Sequence, residues 1–431
     1  MGHAGAVLDR RAAGARPTGY APRAMNDPFD LMSAAALEDP YPSWKRLRDE
    51  APVHFSEGWN AWLLTRYEDA AAAFKDKRLS ANRSGGYAAK LPEPVRQHLA
   101  PLLGNLSRWT LLLDPPEHTR LRGLISKAFV PRAIEAMRPR IAELVAELVE
   151  DVGEEPSFDV MAKVAQPLPT IVIGDMLGMR MSDWPKLKGW SDALAAFMGA
   201  SQMTQEVVAA ARSAVLEMEE NIRGVIADHR ENPRDDLMTQ LLRAEESGRM
   251  LDEAELLATC TSLLFGGHET TTNLIGNAIL ALARHDDARG KLAADRGLLP
   301  TAIEEVLRYD SPVKRMGRVV VEPFELRGQS LKAGDRVFMV LGAANRDEAM
   351  FERPDELDVA RVDNRHLSFG LGIHFCVGAA LGRLEAQLAV GALLDRFPEL
   401  RLAHTGLEWQ SNLTIRGVKH LLLAAPRATP V

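Results

Sequence analysis

The stretch LDEAELLATCTSLLFGGHETTTNLIGNAILALARHDD, residues 251–287, keeps apolar residues at helical spacing for more than 30 positions without a proline. At 1.5 Å per residue such a helix runs roughly 50 Å, enough to cross an entire domain. Asp252 and Glu255 stand at capping-box spacing and mark its start. A chain with this segment at its centre must pack its other elements around one long rod.

The middle of that rod is its weakest part. Gly266, Gly267, Thr270, Thr271 and Thr272 are poor helix formers gathered together, and each glycine costs about 1 kcal/mol against alanine. A central helix that keeps them needs either a close approach or a local bulge, features common at functional sites. Glu269 and Thr270 add an acid and a hydroxyl suited to proton delivery, while a packing kink with back-bonded threonines is the plainer account.

Helical spacing recurs in PRAIEAMRPRIAELVAELVEDV (131–152), expected as one helix with Pro131 near its start, and in VVAAARSAVLEMEENIRGVIADHR (207–230). Strand signals are short and scattered: AWLLTR (61–66), VVVEPFEL (319–326), RVFMVLG (336–342) and HLLLAA (420–425), with RGQSLKAGD as turn chemistry. Strands and helices do not alternate, which argues against a doubly wound parallel sheet. The 431 residues give a length prior of about three domains at ~150 residues each. No repeat or Gly/Ser- or Pro-rich linker divides them. The expected fold class is mainly α (α+β): residues 1–24 a flexible tail, and residues 25–431 a single domain with a large helical body and a smaller β-rich region.

A formal net charge of −7 with interspersed signs excludes a general nucleic-acid surface. No 18-residue apolar run or signal-peptide core provides a membrane anchor. The two cysteines, Cys260 and Cys376, form no C-x-x-C pair, which suits a reducing cytoplasm rather than a disulfide framework. No G-x-x-x-x-G-K-[ST] occurs, and GLGIHFCVG has Phe375 where a dinucleotide fingerprint needs its third glycine.

Cys376 is therefore the notable residue. It follows a loop holding Gly370 and Gly372 and precedes Gly378 and a helical run, so its sulfur would face the N–H groups of a helix start. That setting favours a thiolate, either as a nucleophile with His374 as base or as a metal ligand; a buried inert cysteine is the alternative. Two further pairs have helical spacing. Glu305 and Arg308 share a helix face, a pattern common in surface ion pairs. His118 and Arg122, four apart after Pro115 and Pro116, could face one anionic ligand or simply water.

Taken together and in this order, these residues resemble the cytochrome P450 family in its soluble bacterial form, haem-thiolate monooxygenases with a long central helix over the haem. FGLGIHFCVG (369–378) fits the family's F-x-x-G-x-x-x-C-x-G signature, and GGHETT (266–271) is similar to its oxygen-activating helix motif. Glu305 and Arg308 match its E-x-x-R pair, and ANRDEAMFERPDELDVAR (344–361) resembles the segment before the cysteine loop. The resemblance implies haem b (heme b, iron protoporphyrin IX) with Cys376 as its buried iron ligand and Phe369 packed beside the sulfur. His118, Arg122, Arg318 and His374 would bind the propionates. Glu269 and Thr270 would form the catalytic acid–alcohol pair, with Glu305, Arg308 and Arg361 a structural ion-pair set.

It further implies a cytoplasmic monomer that inserts one oxygen atom from O2 into a lipophilic small molecule by hydroxylation or epoxidation. Such a substrate would be a secondary metabolite, a terpenoid or steroid, or a fatty acid. Ferredoxin and ferredoxin reductase would be the separate redox partners; Arg120, Lys127, Arg132 and Arg365 would form a docking patch near the cysteine side or, as the default reading, be ordinary solvated charges. The pocket would draw on residues 84–109, 193–203, 263–267, those after Pro312, and 412–416; Lys314 or Arg315 would anchor a carboxylate there or else lie exposed at the surface. A haem- or lipid-binding carrier and a cysteine-nucleophile hydrolase are the rival readings.

Overall fold

The computed structural model describes residues 28–83, 92–127, 129–152, 156–200, 203–246, 249–404 and 406–424. The expected tail, residues 1–24, lies outside them.

The central helix spans Glu253–Arg284, 32 residues, and its capping box is complete: Asp252 accepts from the Glu255 N–H, and the Glu255 side chain accepts from the Asp252 N–H. Its second half, from Thr271 through Leu282, is buried without interruption. A helix enclosed on all sides can be apolar all round, as LIGNAILALA largely is. The cysteine helix (Ala379–Arg396), the bracing helix (Leu299–Tyr309), the helix Pro167–Met176 and the crossing helix (Trp184–Gly199) all pack on this rod. Gly267 is a genuine close approach, since a Cβ there would lie 3.2 Å from Ile173 Cγ1. No bulge forms; the helix stays α throughout, with Thr270 Oγ1 donating to the Gly266 carbonyl at 2.8 Å.

Two expectations for regular structure are corrected. Residues 131–152 form two helices, Pro131–Ala136 and Arg138–Glu150. Pro139 has no N–H to extend the first and restricts the residue before it, so a second helix starts there instead. VVVEPFEL is likewise split at Pro323, its first part closing the strand Arg315–Val320 and its last part forming Phe324–Leu326. That short strand pairs with Gln329–Leu331, inside what reads as a turn. Arg327 and Gly328 between them both have positive φ, at 48° and 75°, the conformation of a two-residue hairpin turn.

The main sheet has the order Val53–Ser56, Ala61–Leu64, Arg336–Val340, Arg315–Val320, Leu79–Ser80, antiparallel except where Ala61–Leu64 meets Arg336–Val340. Val337 sits opposite Arg318 in this register. The sheet thereby delivers a buried arginine toward the helical body from a rigid strand.

Candidate functional site

Four cationic or imidazole side chains converge from three separate elements. His118 and Arg122 lie on the helix Glu117–Ser126, Arg318 on its strand, and His374 in the 3-10 turn Gly372–His374. The His118 and His374 rings are 4.2 Å apart, and Arg122 donates to the Phe375 carbonyl at 2.6 Å. Burial pushes His374 down to about 3 and Arg318 down to about 10, with the charges of Arg318, His118 and Arg122 adding to the effect on His374. His118 is also lowered, first by burial and then by Arg122.

This cluster is short of anions. His118 is 2% exposed and neither ring nitrogen has a hydrogen-bond partner; Arg318 is also 2% exposed and one terminal nitrogen is unpartnered. Buried polar groups are ordinarily satisfied, and leaving one without a partner costs about 1–3 kcal/mol. These orphaned donors are what two carboxylates of a ligand would satisfy.

The loop beside them has the complementary shape. Gly370 and Gly372 take positive φ (70° and 73°), where a side chain would be strained. They fold the chain so that the Cys376 N–H donates to the Phe369 carbonyl at 2.9 Å. Ile373, Phe375 and Cys376 are exposed in the polypeptide, which sets aside the alternative of an inert cysteine buried by the chain itself. The chain is nonetheless dense around the thiol and pushes it up, while a hydrogen bond from the Gly378 N–H and the charges of Arg122 and Arg383 favour the thiolate. Phe369 packs 6.2 Å from Phe375 with the Arg383 guanidinium 4.4 Å from its ring centre.

On the central helix, Gly266 is exposed and Thr270, one turn on, is half-buried, so the two share an open face. A Cβ on Gly266 would meet nothing within 4 Å. Glu269 is buried and hydrogen-bonded to Asp192 of the crossing helix; burial first, then the hydrogen bond and charge of Asp192, push it up to about 8. Among the described hydrogen bonds none joins Glu269 to Thr270, so the pair is close in sequence but separately held.

The ion-pair set is assembled in full. Glu305 accepts from Arg308, Arg361 Nε, Asn364 Nδ2 and the Asp358 N–H, while Arg308 donates to the carbonyls of Asn345, Pro354 and Glu356. Expected pocket segments also meet: Trp109 lies 5.2 Å from Phe265, Asn412 Nδ2 donates to the Ala195 carbonyl, and the Lys314 N–H donates to Thr414. Residues 84–91 and 201–202 of those segments lie outside the described ones. Lys314 and Arg315 are both 6% exposed. The Lys314 ammonium donates to the Asn412 carbonyl, and Arg315 stacks on Trp59 and Phe338 at 4.5 and 4.0 Å. Both have internal partners, which removes the exposed-surface alternative for them.

The docking patch loses one member. Arg120 pairs with Glu117 and Glu255 at 11% side-chain exposure and offers no free charge. Lys127 and Arg132 are exposed, and Arg365 is exposed and bonded to Asp363. Arg383, Asp192, Lys188 and His268 are site residues that the sequence motifs did not single out by role. The adjacent acids Glu304 and Glu305 were the available signal for Arg383, which binds Glu304 through two hydrogen bonds.

A flat, largely apolar ligand carrying two carboxylates and a metal that accepts a soft thiolate would satisfy the orphaned donors and the apolar loop together, the chemistry of the haem-thiolate class. The sequence model of the family described as Cytochrome P450 matches residues 89–414. Among curated relatives, the polyketide biosynthesis cytochrome P450 PksS of Bacillus subtilis is 38% identical over 393 residues, 89% of this chain and 95% of the relative. Cytochrome P450 monooxygenase PikC of Streptomyces venezuelae is 40% identical over 392 residues, 89% of this chain and 90% of the relative. The solved structure of PksS superposes with a TM-score of 0.84 at 36% identity, covering 94% of this chain and all of that one. CYP109E1 from Bacillus megaterium in complex with testosterone gives 0.82 at 33% identity, covering 91% and 100%. The chain belongs to the cytochrome P450 family. It is a haem b monooxygenase, an oxidoreductase that consumes dioxygen, takes electrons from redox partners and acts on lipophilic small molecules; the carrier and hydrolase readings find no support. No helix among the described residues is long and apolar enough to cross a membrane.

Proposed function

We propose that Cys376 holds the haem iron through its thiolate and that His118, Arg122, Arg318 and His374 hold the propionates. The observation that carries this reading is the pair of buried groups beside the cysteine loop with unsatisfied nitrogens, both ring nitrogens of His118 and one terminal nitrogen of Arg318. When bound, the haem supplies dioxygen activation and transfer of one oxygen atom to a substrate C–H or C=C bond. The chain supplies the rest. The Phe369 carbonyl fixes the Cys376 backbone, and the Gly378 N–H with Arg122 and Arg383 favours the charged sulfur.

Thr270 keeps its hydroxyl anchored on the Gly266 carbonyl, at the open face of the central helix. Glu269 keeps a proton at neutral pH, because burial and Asp192 both disfavour its charged form. The acid and the hydroxyl thus have separate tasks, one storing a proton and the other presenting a hydrogen-bonding group at the face. Glu305, Arg308 and Arg361 act at a distance by holding the segment that leads into the cysteine loop.

The substrate is a lipophilic molecule of polyketide or steroid size, a reading supported by the names of PksS and of the testosterone complex and by the mainly apolar pocket segments. Electrons come from a separate ferredoxin and ferredoxin reductase, docking near Lys127, Arg132 and Arg365. The protein works as a cytoplasmic monomer, in line with two cysteines that form no disulfide framework. Residues 25–431 act as one domain.

The test is the spectrum of the reduced protein under carbon monoxide. A strongly red-shifted Soret band that disappears in Cys376→Ala supports the assignment; its persistence in that variant, or failure of the wild type to take up haem, overturns it. Product formation from polyketide and steroid panels with a surrogate ferredoxin and reductase then tests the substrate and partner assignments.

A further inference from the structure

His268 has no task in the scheme above, yet it is almost wholly enclosed. It is 2% exposed, and neither Nδ1 nor Nε2 has a hydrogen-bond partner. Its Nδ1 lies 3.7 Å from Glu269 Oε1, and Glu269 in turn meets Asp192 across the helix pair. One ligand atom from each of Asp192, His268 and Glu269 falls within 4.8 Å of the others. Two carboxylates brought together normally need a proton or a cation between them. An imidazole with no partner pointing at the same spot supplies a third donor of another kind.

We propose that Asp192, His268 and Glu269 form a binding site for a divalent transition-metal cation, zinc in particular, bridging the central and crossing helices. One nitrogen and two carboxylate oxygens suit Zn2+, whereas Ca2+ and Mg2+ seek all-oxygen shells. With metal–ligand bonds of about 2.0–2.2 Å, tetrahedral ligands stand roughly 3.3 Å apart. The three side chains therefore close by about 1.5 Å or less. Asp192, with 44% of its side chain exposed, provides the entry path and leaves the fourth position to water. Two carboxylates balance the charge of Zn2+, and the cation takes the place of the shared proton.

Lys188 is the built-in competitor. Its ammonium lies 2.6 Å from Asp192 Oδ2, and its side chain is 32% exposed, so it can swing into solvent when a cation arrives. Occupancy would tie down the Glu269 carboxylate and pin the two helices together. This part of the inference rests on the proton-storing role given to Glu269 above: zinc would then be an inhibitor acting away from the haem.

Zinc binding to the haem-loaded full chain is measured directly, by equilibrium dialysis and by competition with a chromophoric chelator, with Mg2+ as the comparison cation. One Zn2+ per chain is expected. Asp192→Asn and His268→Gln are each expected to weaken binding by more than the roughly 10–100-fold that loss of an outer partner alone costs, and Lys188→Met to tighten it. Asp192 is half-exposed, so its variant tests the site even where the His268 variant folds poorly. Wild-type affinity retained in Asp192→Asn, or no binding by the wild-type protein at millimolar Zn2+, overturns the site. Because binding is read without turnover, it stands or falls apart from the monooxygenase scheme; zinc binding that leaves turnover unchanged overturns only the inhibitory role.

Discussion

Arg308 grips Glu305 through two parallel hydrogen bonds, Nε to Oε2 at 2.8 Å and a terminal nitrogen to Oε1 at 2.7 Å, with neither side chain exposed to solvent at all. The same three-residue spacing on a surface helix is worth less than ~1 kcal/mol. Enclosed, it leaves a stranded charge if either member is lost. Glu305→Leu or Arg308→Met should each destabilise the protein by about 3–5 kcal/mol, measured by urea unfolding of the haem-loaded protein. A loss below ~1 kcal/mol would show that the segment from Asn345 to Asn364 holds its shape without them.

His118→Ala and Arg318→Ala should each loosen haem by roughly 10–100-fold, since a hydrogen bond to a charged group contributes about 1.5–3 kcal/mol. Haem transfer to an excess of an apo-acceptor protein measures this. The carbon monoxide band should keep its position in both variants, because neither residue touches the sulfur. A shifted band with unchanged haem retention would contradict the propionate assignment.

Replacing Thr270 with valine removes the hydroxyl bonded to Gly266 while keeping the side-chain shape. The expected result is unchanged haem binding with less product per dioxygen consumed. Glu269→Gln keeps the buried neutral form but cannot give up a proton, so turnover should fall with fold and haem content intact. Parallel measurements of product and oxygen uptake separate the two effects; equal coupling in wild type and Thr270→Val would remove the hydroxyl from the scheme.

Glu304 carries an acid-side signature. Burial alone would raise its carboxyl, but hydrogen bonds and charges from Arg383 and His366 outweigh burial and hold it down at about 2, against an ordinary 4.5. A folded-state value below the unfolded one means stability that is fully present above about pH 4.5 and lost as pH falls toward 2. Melting temperature recorded across that window should drop more steeply in wild type than in Glu304→Gln. Parallel curves would mean the contact with Arg383 is not maintained in solution.

Much of this architecture was legible because it is written locally. The central helix, its capping box and the glycines of the cysteine loop depend on neighbours within a few residues, and the chain shows them directly. Pro139 and Pro323 were equally visible; each breaks an element that apolar spacing alone would continue. What could not be read depends on partners far along the chain. Arg120 is exposed by pattern but neutralised by Glu255, 135 residues away. Lys188 and Asp192, four apart, have the spacing of an ordinary surface pair, and only the fold sets them against Glu269. Burial of the Glu305–Arg308 pair is likewise a property of the assembled layers, not of the spacing.

Arg308 bonds three backbone carbonyls of a segment with almost no regular structure of its own. Ordering such a stretch is entropically costly until long-range contacts reward it. The bracing helix therefore lends its order to residues 345–364, and the approach to the cysteine loop takes its rigidity from a side chain rooted in another element.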